Sequence, residues 1–264
     1  MKNTILSLLF LYCLACNASE RNLSTDSPQK IKILTYNVNY GNPRIETMKI
    51  IDSLDADIVC LQETTEIYEK LATIYLSKKY NYISFKHCCN AGGLAILSKF
   101  PVVRNEYLNN DIGWFPAWVI EIKTPEGAVQ LLNVHLKPGL NRLGKVGFLG
   151  KEYFKAQKTH ISELGLFLKF LTENYPTFIL GDFNENDKGK AIKWLIKING
   201  YKDSLSQFDK KSNTWKWGIL KGRFDHIIHN NQIKCIDASV CQCGFSDHFP
   251  VVGVYMLTSS QDKK

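Results

Sequence analysis

The sequence lacks the features that would divide the chain into separate parts or carry it through a membrane. No internal repeat, Gln/Asn-rich tract or central Pro/Ser-rich linker interrupts residues 31–258. The apolar run at residues 5–14 is too short to span a bilayer as a folded helix. With 264 residues, 45% hydrophobic and 22% charged, the chain is expected to form one soluble domain with a large buried core.

The first residues are typical of an export signal. Lys2 precedes the apolar run, which ends in Cys13-Leu14-Ala15-Cys16. This tetrapeptide resembles a bacterial lipoprotein signal with Cys16 as the lipidated first residue, although Cys13 stands where Leu is usual. We therefore expect a signal peptide at 1–16, a flexible polar tether at 17–30 and a domain at 31–258. The protein is expected to be exported, either as a cell-envelope lipoprotein tethered to a membrane through Cys16 or as a secreted protein.

No Cys-x-x-Cys pair occurs among the cysteines that follow residue 16. These are Cys60, Cys88, Cys89, Cys235, Cys241 and Cys243. Cys60 lies in an apolar run and is expected to be a small buried hydrophobe. Cys88, Cys89, Cys241 and Cys243 can form one or two disulfides, and disulfides or free thiols are favoured over a zinc cluster. The sequence does not determine the pairing.

Acidic residues are fewer than basic ones, 25 against 33, which gives a formal net charge of +8. A basic balance favours anionic partners such as nucleic acid, phosphorylated lipids or an anionic membrane surface. A lysine-rich surface can equally serve solubility alone. The charge therefore restricts the class of partner without choosing one.

Hydrophobic patterning predicts strands and helices that alternate within one domain. The predicted strands cover residues 30–37, 57–62, 82–85, 93–98, 102–108, 117–123, 129–135, 177–181, 225–229, 233–239 and 251–257. The predicted helices cover residues 45–54, 151–174 and 190–199, the second ending before Tyr175-Pro176 and the third at Gly200. Helices placed between hairpin and crossover connections predict an α/β sandwich built on mixed sheets.

Polar side chains stand at the ends of several predicted apolar strands, although buried strands do not need polar ends in order to pack. They are Asn37, Glu63, His135, the pair Asp182 and Asn184, and the triplet Ser246-Asp247-His248. The simplest account is one cleft rimmed by all of them. Oxygen ligands of this kind suit a hard cation such as Mg²⁺, and an Asp/His pair suits proton transfer.

Each of these residues alone also has an ordinary structural explanation. Alternation places Asp182 and Asn184 on one side of an extended chain, aimed at a phosphate or an attacking water, yet both are common in turns. Glu63 suits metal ligation, but it can equally belong to the start of a following helix. Asn37 and Asn39 share a face of the strand. Because Asn is uncommon inside a strand, Asn37 is expected either to hydrogen-bond to a buried loop or to bind a ligand. Their conjunction at matching strand ends favours the functional interpretation.

Asp225 and His248 form a candidate catalytic dyad. An acid at position 225 can orient the imidazole of His248, fix its tautomer and raise its basicity. Asp247 is then free to act on a metal or on water. His226 and His229, in the same segment as Asp225, have no evident acid partner in the sequence.

Aromatic and basic residues near the predicted site leave the substrate open. Trp114, Phe115, Trp215 and Trp217 are predicted to lie in loops, where they can stack on a nucleobase, form a lipid-facing rim or simply pack. Lys137 and the basic residues of segment 142–151 can grip phosphates or belong to a solvated loop.

Six motifs, taken together and in order, resemble the endonuclease/exonuclease/phosphatase superfamily. They are Thr35-Tyr36-Asn37, Leu61-Gln62-Glu63, Asn133-Val134-His135-Leu136, Gly181-Asp182-Phe183-Asn184, Phe224-Asp225-His226-Ile227 and Ser246-Asp247-His248. The superfamily includes deoxyribonuclease-I-like nucleases, abasic-site endonucleases, neutral sphingomyelinases, inositol-polyphosphate phosphatases and tyrosyl-DNA phosphodiesterases. The resemblance implies a four-layered α/β sandwich, in which two mixed β-sheets pack face to face with helices outside.

The resemblance also implies roles for individual residues. The implied catalytic residues are His135, Asp182, Asn184, Asp225 and His248. Within this set, Asp182 and Asn184 position water and phosphate. Asp225 orients His248, which acts as general base or as transition-state stabiliser. His135 matches the histidine of deoxyribonuclease- and sphingomyelinase-like members, where abasic-site endonucleases tend to use a tyrosine.

A metal side follows from the same resemblance. Glu63 resembles the metal-binding glutamate, assisted by Asn37 and Asp247, and the implied ion is Mg²⁺ with Mn²⁺ as its alternative. We assign Asn39, Trp215 and Arg223 as candidate substrate-binding residues.

Three functions are compatible with this pattern. The favoured one is a monomeric, exported, divalent-metal-dependent phosphodiesterase of nuclease-like type. The first alternative is a sphingomyelinase- or inositol-phosphatase-like hydrolase of lipid or polyphosphate head groups, which an anchor at Cys16 would suit. The second alternative is a non-catalytic surface binding protein on the same fold, whose mark would be loss of site residues. The core set is intact here.

Overall fold

The computed structural model describes residues 30–139 and 151–258. Its strands are β1 (Ile31–Asn37), β2 (Ile58–Gln62), β3 (Tyr82–Lys86), β4 (Leu94–Ser98), β5 (Val102–Leu108), β6 (Ala117–Thr124), β7 (Gly127–His135), β8 (Thr177–Asp182), β9 (Lys202–Asp203), β10 (Trp215–Trp217), β11 (Leu220–Gly222), β12 (Asp225–His229), β13 (Ile233–Val240) and β14 (Val251–Leu257). Its helices are α1 (Ile45–Leu54), α2 (Glu66–Leu76), α3 (Lys151–Phe167), α4 (Lys190–Lys197) and α5 (Ser204–Phe208). The predicted signal peptide, Cys16, the tether at 17–29 and most of the basic segment 142–151 lie outside the described residues.

Two six-stranded mixed sheets form the body of the domain. The first has the strand order β13-β14-β1-β2-β4-β3, and the second has the order β5-β6-β7-β8-β12-β9. Each sheet contains one parallel pair, β1 with β2 and β7 with β8. Because parallel neighbours end at the same edge, Asn37 pairs with Gln62 at the end of one sheet and His135 with Asp182 at the end of the other. Polar strand ends are thereby gathered at one edge of each sheet.

Three apolar clusters show that the sheets face each other with helices outside. Residues of both sheets, among them Ile33 and Trp118, share the cluster between them. Met48 of α1 belongs to a second cluster with the first sheet, and Phe167 of α3 to a third with the second sheet. Alternating side chains thus serve the inner and outer faces of each strand. The predicted four-layered sandwich is confirmed. Among the described helices, none is long and apolar enough to cross a bilayer.

Most predicted elements agree with the structure to within two residues, but the predicted helix at 151–174 is wrong at its end. The α-helix stops at Phe167 and is followed by a 3₁₀ turn, Leu168–Phe170. Both backbone groups of Thr172 bond the Gln130 side chain of β7, with Thr172 N donating to Oε1 at 2.9 Å and Nε2 donating to Thr172 O at 2.7 Å. Because of these contacts, the helix ends several residues before the position at which Pro176 would disfavour it.

The cysteines divide into bonded and buried groups. Disulfides join Cys88 to Cys89 and Cys241 to Cys243. Cys60 is a buried free thiol, as expected, and Cys235 is another. Burial raises the pKa of the Cys60 thiol, so this group acts as a small apolar side chain.

A buried polar contact joins the two sheets beneath their shared edge. Gln62 Nε2 of the first sheet donates to Asn133 Oδ1 of the second at 2.8 Å. Asn133 Nδ2 in turn donates to the carbonyl oxygens of Leu61 and Ala95 at 3.2 and 3.3 Å. Because buried amides are costly unless they are bonded, this contact fixes how β7 sits against β2.

The substitution Asn133→Leu is expected to lower the free energy of unfolding by about 2 kcal/mol, because the Gln62 amide loses its 2.8 Å acceptor in a dry interior and keeps only the Thr35 hydroxyl at 3.0 Å and the Cys60 carbonyl at 3.4 Å. Urea unfolding followed by circular dichroism measures this quantity. The double variant Gln62→Leu/Asn133→Leu removes both partners and is expected to lose less than the sum of the two single losses. Strictly additive losses would show that the contact does not couple the sheets.

Candidate functional site

A cleft of about 470 Å³ opens where the polar strand ends meet. The predicted site residues that line it are Glu63, His135, Asp182, Asn184, Trp215, Asp247 and His248. Three others, Asn37, Asn39 and Asp225, lie behind this lining and bond to it. The structure therefore brings all of these side chains together at one cleft.

Left-handed backbone turns bring several of these side chains out of their strands. Asn39, Glu63 and Asn184 have φ values of 62°, 58° and 50°. Asparagine tolerates this conformation, but for glutamate it is unusual and costs free energy, which is common at functional sites. The Glu63 carboxylate accepts from Asn37 Nδ2 at 3.0 Å and from the backbone N–H of Tyr40 at 3.2 Å. Both oxygens of Glu63 are thus bonded at the cleft, and Glu63 lies outside the following helix, because α2 begins at Glu66.

Asp182 connects the two sheets at the floor of the cleft. Asn37 Nδ2, from the first sheet, donates to Asp182 Oδ2 at 3.0 Å. The same oxygen lies 3.5 Å from His135 Nε2 and 3.6 Å from His248 Nε2. Desolvation by burial raises the pKa of Asp182, and the His248 charge offsets part of this rise. A carboxylate with a raised pKa is suited to accept a proton from a bound water.

Asp225 and His248 form the predicted pair. Asp225 pairs with Asp182 across the antiparallel strands β12 and β8, which places it behind the cleft. His248 Nδ1 lies 2.8 Å from Asp225 Oδ2. Burial alone would lower the pKa of His248, but the carboxylates of Asp225 and Asp182 outweigh it and raise the pKa to about 10. His248 is therefore an imidazolium at neutral pH, with Nε2–H directed into the cleft.

Asp247 is held from two sides. Asn39 Nδ2 donates to Asp247 Oδ1 at 3.0 Å, and Trp215 Nε1 donates to Oδ2 at 3.0 Å. The Ser246 hydroxyl donates to the carbonyl of Asn37 at 2.8 Å and fixes the loop before β14 onto the first sheet. Asn39 and Trp215, assigned to substrate binding from the sequence, thus position the Asp247 carboxylate, and Trp215 also lines the cleft.

The orientation of His135 is fixed by Phe115 and by the turn that contains Ala91. Its ring stacks on Phe115 with centroids 4.4 Å apart. Its Nδ1 lies 3.0 Å from the carbonyl oxygen of Ala91, which can only accept, so Nδ1 carries the hydrogen. Burial lowers the pKa of His135, and the Asp182 charge offsets only part of this. The unprotonated Nε2 therefore faces the carboxylates of Asp182 and Glu63.

Asn184 presents its backbone and side chain to neighbouring strand ends. Its N–H donates to Asp182 Oδ1 at 2.8 Å, and its Nδ2 donates to the carbonyl of Leu136 at 3.0 Å. As predicted, Asp182 and Asn184 lie on the same side of the chain and line the cleft. Phe183 between them points the other way and is fully buried in the outer cluster of the second sheet. The Asn184 amide is thus placed at the cleft wall as a donor with a fixed orientation.

The donor set of the cleft fits a divalent cation. The carboxylates of Glu63, Asp182, Asp225 and Asp247 meet one imidazolium, and no lysine or arginine of the described chain lines the cleft. Burial raises the pKa of Glu63, as expected for a carboxylate without a full counter-charge. Asp182, Asp225 and His248 also lie close enough to share an ion. His248, however, already connects these two acids, which leaves Glu63 and Asp247 as the other carboxylates that line the cleft, with Asn37 bonded to Glu63 from behind the lining.

Two sequence expectations are wrong in this region. Arg223, assigned to substrate binding, does not line the cleft, because its guanidinium donates to the backbone carbonyls of Ser212 and Asp209. His226, expected to lack an acid partner, has Nδ1 3.4 Å from Asp203 Oδ2. Asp203 lies in β9, a two-residue strand that no local pattern predicts.

Some cleft residues were missed or misplaced. Trp215 and Trp217 lie in the short strand β10, whereas a loop was expected. Tyr40, Cys89 and Ala91 also line the cleft. The turn that contains Ala91 is followed by Gly93, where an added Cβ would lie 2.0 Å from the carbonyl oxygen of Thr64. This close approach shows that the turn packs against the backbone that follows β2.

The fold is similar to that of several solved structures. An endonuclease/exonuclease/phosphatase from Beutenbergia cavernae has a TM-score of 0.70 at 15% identity, over 88% of this chain and 72% of that one. TDP2 from Caenorhabditis elegans has a TM-score of 0.67 at 19% identity, over 88% and 77%. An AP endonuclease from Archaeoglobus fulgidus has a TM-score of 0.64 at 18% identity, over 87% and 100%. No curated protein matches the chain in sequence.

Sequence comparison gives the family directly. Residues 34–248 match the Endonuclease/Exonuclease/phosphatase family, a segment that covers most of the chain and runs from β1 to His248. It contains every strand end that contributes to the cleft. Together with the two facing mixed sheets, this match shows that the chain belongs to the endonuclease/exonuclease/phosphatase family, whose members hydrolyse phosphoester bonds.

Proposed function

We propose that this protein is an exported, divalent-metal-dependent phosphodiesterase with nuclease-like chemistry. The observation that supports it most strongly is the line of contacts from Asp225 through His248 to Asp182, beside the carboxylate of Glu63. Such a site combines a protonated imidazole (His248), a carboxylate that can accept a proton (Asp182) and an oxygen-rich cation site in one cleft. Export, a lipid anchor at Cys16 and a monomeric state belong to the proposal on sequence grounds alone.

The residues of the cleft divide the reaction between them. Asp182 Oδ2 orients the attacking water and accepts its proton. The Nε2–H of His248 and the Nδ2 of Asn184 stabilise the negative charge that develops on the phosphoryl oxygens. Asp225 keeps the His248 ring oriented and protonated. No covalent enzyme intermediate is required, and the described cysteines take no part.

Glu63, Asn37 and Asp247 would hold the cation. A divalent ion bound there would polarise the phosphoryl oxygen and neutralise the charge of the transition state. Mg²⁺ is proposed as the ion, with Mn²⁺ as its substitute, because both accept hard oxygen ligands. The contacts that Asn39 and Trp215 make to Asp247 would keep that carboxylate in place for this role.

Nucleic acid is the first candidate substrate. The net charge of +8 favours polyanions, and the aromatic rings of Phe115, Trp114 and Trp217 line the cleft where a base could stack. A lipid head group is the second candidate, because Trp217 is also half exposed at the rim of the cleft. Both substrates present the same phosphodiester to the same residues.

Purified protein is expected to hydrolyse bis-p-nitrophenyl phosphate and at least one natural phosphodiester in an EDTA-sensitive manner. Single- and double-stranded DNA, RNA, sphingomyelin and inositol phosphates, each assayed with Mg²⁺ and with EDTA, provide the test. Cleavage of nucleic acid alone supports the first candidate, and cleavage of sphingomyelin or inositol phosphates alone supports the second. Absence of EDTA-sensitive hydrolysis of every phosphodiester would rule out the proposed function.

Asp225→Asn is expected to leave the fold intact and to reduce kcat by about 10²–10⁴-fold, because the His248 imidazolium loses the carboxylate that stabilises it. The pKa of His248 should also fall, which NMR titration of the imidazole measures. His229→Gln is the matched control, since His229 is a buried histidine of the same strand that does not line the cleft. Near wild-type turnover in Asp225→Asn together with abolished turnover in folded His229→Gln would show that the dyad is wrongly assigned.

Glu63→Gln is expected to weaken metal binding about tenfold or more, because one charged oxygen ligand becomes neutral. Titration calorimetry with Mn²⁺ measures the affinity, and raised Mg²⁺ should partly restore turnover. His248→Ala should retain Mn²⁺ affinity while its lost turnover is not restored at any Mg²⁺ concentration. Equal Mn²⁺ affinity in wild type and Glu63→Gln would remove Glu63 from the metal site.

A further inference from the structure

The β10–β11 hairpin exposes an apolar tip beside the cleft. Its strands pair Trp217 with Leu220 across a two-residue turn, Gly218-Ile219, in which Gly218 has a φ of 58°. Trp217 is 56% exposed. Ile219 is 95% exposed, which makes it the most exposed large hydrophobic side chain among the described residues. Clustered exposed apolar groups of this kind mark sites of interaction.

Other exposed aromatic residues continue this apolar surface around the cleft. Tyr40 and Trp114 line the cleft together with Trp217 and are 44% and 39% exposed. Lys137 Nζ lies 5.6 Å from the centre of the Trp114 ring, so a cation accompanies this part of the rim. Amphipathic aromatic rings with neighbouring lysines are characteristic of protein surfaces that lie at a membrane–water interface.

The opposite face of the hairpin is basic. Lys216 and Lys221 stand directly opposite each other in the ladder, an arrangement that is unfavourable for two like charges. Together with Lys211 they line a cavity of about 320 Å³, whose other lining residues are Ser212, Asn213, Gln242 and Phe249. No acidic residue of the described chain lines this cavity, and none forms an ion pair with these lysines. The face therefore favours an anion.

We propose that the β10–β11 hairpin docks on an anionic lipid bilayer. Ile219 and Trp217 enter the head-group region, and Lys216 and Lys221 bind lipid phosphates from the other face of the hairpin. A nucleic acid would engage the lysines, but it would give no apolar environment to Ile219, so the apolar tip and the basic face together favour the bilayer. Docking in this way brings the cleft to the membrane surface and does not depend on the proposed catalytic activity.

The proposal is tested by flotation with extruded vesicles of phosphatidylcholine, alone or mixed with phosphatidylserine. The protein is the full chain carrying Cys16→Ser, so that no N-terminal lipid contributes to binding. Binding is expected on the mixed vesicles and to be weaker on phosphatidylcholine alone. Ile219→Asp should reduce the partition coefficient about tenfold or more. Lys216→Gln and Lys221→Gln should each reduce it about fivefold, and only with phosphatidylserine present.

Ile198→Asp is the matched control, because Ile198 is an exposed isoleucine after α4 that lines none of the cavities described here. It should bind vesicles like the Cys16→Ser parent. Ile219→Asp should hydrolyse bis-p-nitrophenyl phosphate at the parent rate, which separates docking from catalysis. If no variant hydrolyses any phosphodiester but the vesicle results hold, the proposed function fails and the docking surface stands.

The docking proposal is overturned if the parent protein does not bind phosphatidylserine-containing vesicles, or if Ile219→Asp binds them equally well. A third outcome assigns the surface to a different ligand. If the two lysine variants weaken binding to a single-stranded oligonucleotide while vesicle binding is absent, the basic face contacts nucleic acid instead.

Discussion

Burial of the Asp182 carboxylate is the constraint on which the cleft depends. This side chain accepts from Asn37 of the first sheet, while His135 and His248 approach the same oxygen from the second sheet and from the loop before β14. A carboxylate in a dry interior is costly unless its oxygens are bonded and its charge is balanced. Asn37 and His248 therefore stabilise the contact between the two sheets at this edge, so the packing of the domain and the chemistry of the cleft depend on the same side chains.

The balance of charge around Asp182 explains the other site residues. His248 supplies one positive charge, and Asp225 keeps it there by raising the pKa of the imidazole. The carboxylates of Glu63 and Asp247 exceed what that single charge can neutralise. The proposed cation would offset this excess, because without a positive partner each added acid weakens the folded state. The left-handed backbone of Glu63 indicates that the chain accepts local strain to add such an acid.

Sequence patterns were sufficient for the sheets and the floor of the cleft because both depend on local information. An apolar run followed by Asn37, Glu63 or His135 identifies a strand and its polar end at once. Contacts distant in sequence that no motif marks could not be inferred in this way. The β9 strand that gives His226 its acid partner has two residues, and the guanidinium of Arg223 is directed away from the cleft by backbone carbonyls that carry no side-chain signal.

Floor and rim of the cleft are built by different parts of the chain, and this separates the reaction from the choice of substrate. The floor consists of strand ends whose positions are fixed by two parallel pairs and a buried amide contact. The rim consists of the turn at Ala91, the loop at Trp114 and the hairpin at Trp217, which can change without disturbing the ladders. In the proposed function, recognition of a base, a head group or a membrane surface would therefore depend on the rim, whereas hydrolysis of a phosphoester would depend on the floor.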